Sequence, residues 1–411
     1  MFSSSQTQLR ERLRGALAQD TPGANRVQDL TVTTRCDLSS LGGHWFETPA
    51  GRGYAIDSWY DAGHSHGSIP LYKALSVDTG RLAAQARDPR ITDHEPRDFL
   101  YIDTETTGLG GAGSMVFLAG VARFKGAQLL LRQFLLPSPS LEAGFLEGLA
   151  EELESTQVLV SFNGKSFDLP ALESRAIMTR RRPAWRDIPH LDLLHPNRRL
   201  FKGSFETHRL VQLETELLGF KREDDCPSAE VPVRYFRFHS TGDPTWIRPV
   251  LRHNAWDILS LVALCAHLAA VCNGDAGTLQ AARAAEYERD WEAAATNFER
   301  VAHSSKSRTE RTEACEHAAR AYTRLDRFDD AARMWLHLID DQRPRRLLPL
   351  VELAKLSEHR FRDSAVALRF VESALALIDR GHARPGGLKA ETGVPSLERR
   401  KARLARRMRH R

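Results

Sequence analysis

Apolar and polar positions fall into two regimes along this chain. From Asp98, the runs Phe99 to Ile102, Met115 to Phe124 and Gln128 to Leu136 read as three strands joined by glycine-containing connections, which predicts an antiparallel meander. A helical period follows over Leu141 to Ser155, then a buried-strand run over Val158 to Phe162. Next come a helix with Pro170 in its first turn and a short strand around His190 to Leu194. Three strands followed by alternating helix and strand predict a mixed α/β sheet. Two further helices are expected over Thr207 to Leu218 and along a long stretch ending near Val271, with Pro249 marking its start or a kink.

Upstream, residues 1–95 hold a short helical pattern (Gln8 to Gln19) and a turn-rich stretch (Asp20 to Asn25). Two aromatic-rich runs, His44 to Pro49 and Tyr54 to Tyr60, are separated by Ala50-Gly51-Arg52-Gly53 and read as a hairpin in an accessory layer. Residues 96–272 form the α/β unit. Over 276–411 strand signals vanish and a repeat takes over: Trp291, Phe328 and Phe361 stand 37 and 33 residues apart. Each has alanine four positions on (Ala295, Ala332, Ala365) and a bulky residue seven on (Phe298, Trp335, Leu368). Offsets of +4 and +7 share one helical face, and the spacing resembles tetratricopeptide repeats. A plain all-α bundle is the alternative. An amphipathic helix from Ser396 to His410 offers Leu397, Leu404 and Met408 as a cap for the array.

With 411 residues, two or three compact units are expected. The net charge of +5 is misleading, because the stretch from Ser396 to Arg411 carries eight cations against Glu398, a net +7 that leaves −2 for the rest. A basic pI therefore does not by itself imply nucleic acid. Five scattered cysteines without a C-x-x-C pair argue against a disulfide scaffold or structural zinc. Neither an apolar leader core nor an 18-residue apolar run is present, so a soluble cytoplasmic protein without membrane contact is expected.

The candidate chemistry lies in carboxylates. Asp103-Thr104-Glu105 ends the first strand with both acids on one face, an arrangement suited to an oxygen-ligated divalent cation, although solvated strand ends also carry such pairs. Asp168 follows a buried strand in Asn163-Gly164-Lys165-Ser166-Phe167-Asp168, where it could face that pair or cap the next helix. On the long helix, His253 and Asp257 line up with Leu261 and Leu264; a surface His–Asp pair is the plainer reading, but the leucine companions argue for burial.

The order of these elements resembles the DEDD 3′–5′ exonuclease superfamily. Within it, Phe99-Leu-Tyr-Ile-Asp-Thr-Glu-Thr-Thr-Gly108, Ser161-Phe-Asn-Gly-Lys-Ser-Phe-Asp-Leu-Pro170, His190-Leu-Asp-Leu-Leu-His-Pro196 and His253-Asn-Ala-Trp-Asp-Ile-Leu-Ser-Leu261 are similar to the YprB-type ribonuclease-H-like family. That resemblance implies a ribonuclease-H-like mixed sheet joined to all-α tetratricopeptide-like repeats. It makes Asp103, Glu105, Asp168 and Asp257 ligands for two Mg²⁺ or Mn²⁺ ions, with Asp103 bridging them. Glu105 and Asp257 complete the site of the ion holding the attacking water, and Asp168 serves the other. His253 orients or deprotonates that water, and Thr106, Asn163 and Asn254 contact substrate. The implied activity is two-metal 3′–5′ hydrolysis of DNA in repair, with a protein partner such as a helicase on the repeats. One departure stands out: the superfamily spaces His-x₄-Asp or Tyr-x₃-Asp, whereas here histidine occupies the tyrosine spacing. No residue visibly senses a 2′-hydroxyl, which leaves RNA open as substrate. The rival reading is a non-catalytic nucleic-acid-binding scaffold that recruits partners through its repeats.

Other features carry less. His64-Ser65-His66 lacks a third zinc ligand nearby, Glu223-Asp224-Asp225 reads as a solvated loop, and Asp192 is equivocal. Arg180-Arg181-Arg182, Arg186, Arg198-Arg199 and Lys202 are either solubilising or phosphate-binding, with Trp185 and Phe201 placed to stack on bases. The eight terminal cations could meet a nucleic-acid backbone or simply solvate the last helix.

Overall fold

A computed structural model describes residues 38–61, 63–108, 114–181, 184–274, 278–341, 346–387 and 390–409. The expected helix over Gln8 to Gln19 and the turn after it lie outside these residues. Nine strands are described: β1 (His44–Thr48), β2 (Gly51–Asp61), β3 (Ser65–His66), β4 (Ile69–Pro70), β5 (Phe99–Thr106), β6 (Val116–Lys125), β7 (Gln128–Leu135), β8 (Val158–Ser161) and β9 (His190–Asp192). Seven of them form one sheet in the order β1-β2-β7-β6-β5-β8-β9, while β3 and β4 make a separate ribbon. β5, β6 and β7 pair antiparallel; β8 runs parallel to β5, and β9 parallel to β8.

β5 is central, and its alternation separates two cores. Phe99 and Tyr101 pack on one face, Leu100 and Ile102 on the other. The intervening helices are α1 (Thr79–Ala86), α2 (Glu142–Glu154), α3 (Asp168–Met178), α4 (Leu194–Leu200), α5 (Leu210–Leu213), α6 (Val231–Thr241) and α7 (Arg248–Cys272). α1 and α7 bury their apolar residues with Phe99 and Tyr101; α2 and α6 do so with Leu100 and Ile102. α7 has the length and apolarity of a membrane span, but 78% of its most apolar window is buried inside the fold, where it acts as the core helix. The helix expected over Thr207 to Leu218 is shorter: α5 continues as one π-turn, Glu214–Leu218, and stops at Gly219, whose φ of +66° suits glycine.

The hairpin is not an accessory layer. β1 turns into β2 at Pro49-Ala50, and β2 pairs with β7 from Tyr54↔Leu135 to Asp61↔Gln128, so the main sheet runs upstream past the boundary expected at residue 95. Tyr54 and Ala55 are buried there with Phe134 and Leu135.

Among the described residues seven helices follow: α8 (Thr278–Glu288), α9 (Trp291–Ser304), α10 (Arg308–Arg324), α11 (Phe328–Asp341), α12 (Leu347–His359), α13 (Ser364–Asp379) and α14 (Val394–Arg409). Each packs against its successor. Trp291 and Phe328 open helices as expected, but Phe361 does not. Arg362 adopts a left-handed φ of +57°, and Asp363 caps the helix by accepting from the amides of Ala365 and Val366, so α13 begins at Ser364. In that phase the repeat becomes regular. Alanine recurs at +3 (Ala294, Ala331, Ala367) and a large apolar residue at +7 (Phe298, Trp335, Val371), all six buried. On α14, Leu397 and Leu404 are buried while Met408 is exposed. Three of that helix's cations, Arg400, Arg403 and Arg407, donate to the buried Glu358 carboxylate and are structural.

Candidate metal centre and active site

β5 turns from apolar to acidic as it leaves the core. Because side chains alternate, Asp103 and Glu105 emerge on the face of Phe99 and Tyr101, which α7 covers. Pro249 sits in the first turn of α7, and the next turn presents His253, Asn254 and Asp257, all buried. Asn254 Nδ2 donates to Asp103 Oδ2 at 2.9 Å, while its Oδ1 accepts from Gln133 Nε2 at 2.9 Å. Gly120 on β6 makes room for this amide: a Cβ there would stand 2.3 Å from Asn254 Oδ1. Asn254, expected to contact substrate, is instead wholly buried and positions Asp103.

Asp168 is the first residue of α3, but the cap position belongs to Phe167. Its Oδ1 accepts from Thr104 N at 2.9 Å and Thr104 Oγ1 at 2.6 Å, tying α3 to the strand between the two acids. The loop before it is held from below by Asp192, which accepts from the amides of Asn163 and Lys165 at 2.7 and 3.2 Å; this gives that equivocal acid a structural role. Asn163 takes a φ of +67° there, a conformation asparagine tolerates. Thr106 follows a bulge in β5 and donates its hydroxyl to Gly108 O at 2.6 Å.

His253 is clamped at Nδ1 by Asp225 Oδ1, 2.7 Å away, so Nε2 points into the acid cluster, 3.4 Å from Asp257 Oδ2 and 3.8 Å from Glu105 Oε1. One ligand atom each from Glu105, His253 and Asp257 lie within 4.8 Å of one another. Asp225 therefore does not belong to a solvated loop. Beside it Arg222, with a side chain 3% exposed, donates to Asp257 Oδ1 at 2.5 Å, to both oxygens of buried Glu214 and to Asp225. Sequence reading missed Arg222, Glu214 and Gln133. Arg222 lies in an irregular segment with no period to aim it, whereas Gln133 is a polar residue on strand β7 and Glu214 sits in the turn that continues α5; Gly120 within an apolar strand is the signal that points to a close approach.

Charge crowding describes what the site wants. Burial first, then repulsion from Asp257, Asp168 and Glu105, pushes the Asp103 carboxyl well above the usual range. Glu105 is pushed up by burial and by Asp257 and Asp168, with Arg222 opposing. Burial raises Asp168 to about 6 despite the Thr104 hydrogen bonds. Carboxylate oxygens that resist ionisation together, beside an imidazole nitrogen, are a donor set that could hold a divalent cation, whose charge would relieve the repulsion.

The surrounding cations and rings are mostly engaged. Trp185 and Phe201, expected to stack on bases, are buried at 3% and 6% exposure. Arg181 pairs with Glu147, Arg186 with Glu173, and Arg199 lies over the Tyr287 ring while donating to Gln85. His66 is buried and within 2.7 Å of Ser260 Oγ.

Residues 100–269, from β5 into α7, match the family model RNase_H_2 of the RNase_H superfamily, and all five clustered side chains fall inside the match. The uncharacterized protein YprB of Bacillus subtilis (strain 168) is 30% identical over 326 residues, 77% of this chain and 79% of YprB. This chain belongs to the YprB family. Two solved structures are more distant. The family B DNA polymerase of the hyperthermophilic archaeon Pyrobaculum calidifontis has 13% identity and a TM-score of 0.36, over 49% of this chain and 28% of the polymerase. Brucella melitensis NrnC bound to pGG has 18% identity and a TM-score of 0.29, over 51% of this chain and 89% of NrnC. In this YprB-family chain the RNase_H superfamily domain is thus followed by a helical region, and the acid cluster lies within the matched domain.

Proposed function

We propose that this chain is a divalent-metal-dependent 3′–5′ exonuclease that hydrolyses DNA phosphodiester bonds in the cytoplasm, with a role in repair, and that its tetratricopeptide-like helices hold a protein partner such as a helicase. The observation that carries the reading is the mutual crowding of Asp103, Glu105, Asp168 and Asp257, three of them with raised proton affinity, with the Nε2 of His253 beside Glu105 and Asp257. Polarity, DNA, repair and the helicase come from the family resemblance; the hydrolytic chemistry comes from the acids.

The four carboxylates would hold two Mg²⁺ or Mn²⁺ ions, which when bound supply an activated water and neutralise charge on the scissile phosphate and the leaving 3′ oxygen. Asn254 and Thr104 fix the rotamers of Asp103 and Asp168, so the ligands meet the ions without reorganising. His253, anchored by Asp225, presents Nε2 either to the attacking water or as a ligand between Glu105 and Asp257. Arg222 fixes the Asp257 carboxylate and offsets part of the cluster's negative charge.

The test is hydrolysis of 3′-labelled and 5′-labelled DNA and matched RNA with Mn²⁺, Mg²⁺ or EDTA, beside Asp103→Ala. Metal-dependent release of nucleotides from the 3′ end, lost in the variant, is expected, and the DNA-to-RNA rate ratio names the substrate. Binding without cleavage under either metal would leave the scaffold reading in its place.

A further inference from the structure

The extra hairpin does more than widen the sheet. Its strand β2 and the following ribbon form a groove of about 590 Å³ against α7. The floor is Ile56, Ser58 and Tyr60, alternate residues of β2 on one sheet face. The far wall is α7, through Leu251, Ala255, Trp256 and Leu259, with Phe220 and His66 closing the end. Arg248 and Arg252 stand at its rim, both exposed.

Three properties of these residues converge on one ligand chemistry. Tyr60, Phe220 and Trp256 bring three half-buried aromatic rings to one cavity, flat apolar surface of the kind that stacks on a nucleobase. Arg248 and Arg252 each donate to a backbone carbonyl, of Ser40 and Asp224, and among the described residues neither pairs with a carboxylate, so their positive charge is left uncompensated. The Arg252 guanidinium lies 5.1 Å from the centroid of the Trp256 ring, which sets a phosphate-binding cation beside a stacking surface. Another cavity, beside Tyr287 and Trp291, also combines cations with rings, but the carboxylates Glu286 and Glu313 line it, whereas no carboxylate lines this groove among the described residues. Gln133 and His66 also line the groove, but they serve the fold: Gln133 Nε2 donates to Leu251 O and Asn254 Oδ1, and His66 Nε2 lies 2.7 Å from Ser260 Oγ.

We propose that this groove is a second nucleotide-binding site, which takes one base against Tyr60 and Trp256 and its phosphate at Arg248 and Arg252. The ligand chemistry is a nucleobase joined to a phosphate, supplied either by a free mononucleotide or by one unit of a single strand. The site is distinct from the acid cluster. Successive residues turn about 100° around a helix, so Arg252 and Trp256 line the groove while His253 and Asp257 meet the acids, and an occupant touches the helix that carries both sets. The inference does not depend on hydrolysis.

The experiment uses the full chain in EDTA, so that the acid cluster takes no part. Binding of dAMP, of adenosine and of a five-residue oligodeoxythymidylate is followed by calorimetry and by quenching of tryptophan fluorescence. Hydrogen exchange locates the contact. We expect dAMP to bind more tightly than adenosine, with protection over residues 54–60 and 248–256. Arg252→Gln, Arg248→Gln and Tyr60→Leu should each weaken binding about tenfold or more while circular dichroism and Tm stay near wild type. An oligonucleotide that binds about tenfold more tightly than dAMP, and loses this in Arg252→Gln, identifies a strand; equal affinity identifies a free nucleotide. The proposal is overturned if neither ligand binds, if folded groove variants bind like wild type, or if protection falls on residues 103–106 and 163–168. A chain that binds here yet never cleaves in Mn²⁺ would lose the proposed exonuclease activity and keep this site.

Discussion

Asp225 Oδ1 lies 2.7 Å from His253 Nδ1, which Arg222 Nη1 also approaches at 3.2 Å, and this anchoring leaves Nε2 as the nitrogen that meets Glu105 and Asp257. A carboxylate on one ring nitrogen fixes the tautomer and leaves the other nitrogen with its lone pair, ready for a metal or a proton. The unusual spacing of histidine ahead of Asp257 therefore has a physical counterpart: the ring is steered by an acid from a different segment. Asp225→Ala should lower Mn²⁺ affinity about 10- to 100-fold with little change in Tm, which calorimetric titration of the metal measures directly. Unchanged affinity would assign Asp225 to packing alone.

Gly120 gives a second handle on the same centre from the opposite strand. A methyl group at that position stands 2.3 Å from Asn254 Oδ1, 2.9 Å from its Cγ and 3.0 Å from its Nδ2, so the amide must move and release Asp103 Oδ2. Gly120→Ala should cost about 1–3 kcal/mol of stability in urea unfolding. It should also lower kcat about tenfold or more, because a carboxylate displaced by even an ångström no longer meets its ligand geometry. Full kcat with a normal Tm would show that the amide is dispensable.

How much of this centre could be read in advance follows from where each residue sits. Asp103, Glu105, Asp168, His253 and Asp257 lie at the ends of strongly patterned elements, so alternation or helical period already says which way they point. Arg222 and Asp225 lie in the irregular segment between Gly219 and Val231, where no period exists to aim a side chain, and they join the cluster only through contacts 28 to 35 residues apart. Asn254 failed for a different reason: it neighbours His253 in sequence but lies about 100° around the helix, against the sheet rather than the solvent. The hairpin was recognisable as a hairpin. Its pairing with β7 was not, because long-range registration of a strand depends on the partner's exposed edge. Phe361 misled because a left-handed Arg362 and the Asp363 cap delay the helix by three residues.

His66 supplies a pH signature away from the acids. Burial, followed by the positive charge of Arg222 and of His64, lowers its pKa from 6.5 to about 4, so the folded chain keeps the ring neutral against Ser260 while the unfolded chain protonates it near 6.5. The unfolded state then binds more protons between these values, and stability is lost as the pH falls through that window. His66→Gln keeps a hydrogen-bonding group without the titration. The stability difference between wild type and this variant should therefore change by on the order of 2–3 kcal/mol between pH 7 and pH 4. Parallel stability curves across that range would remove His66 as the source.

Arg222 is the most exacting test of the cluster's electrostatics, because its guanidinium meets Glu214, Asp225 and Asp257 while only 3% of its side chain is exposed. Removing one partner from a buried ion network leaves the others desolvated and unpaired, at a cost of about 3–5 kcal/mol. Arg222→Met should show that loss in EDTA, with Glu214, which also accepts from Ser260 at 2.5 Å, the most strongly stranded carboxylate. Mn²⁺ should return part of it, since a cation near Asp257 and Glu105 replaces some of the missing positive charge, whereas Glu214 lies beyond that set of ligands. The double variant Arg222→Met with Glu214→Leu separates the two contributions. Removing the stranded acid should recover stability in EDTA without restoring metal affinity, because Asp257 still lacks the group that fixed its rotamer. Urea unfolding of the three proteins with and without Mn²⁺ reads both effects. A single variant as stable as wild type in EDTA would mean that water reaches these carboxylates and the cluster is not the charge-strained centre inferred from its burial.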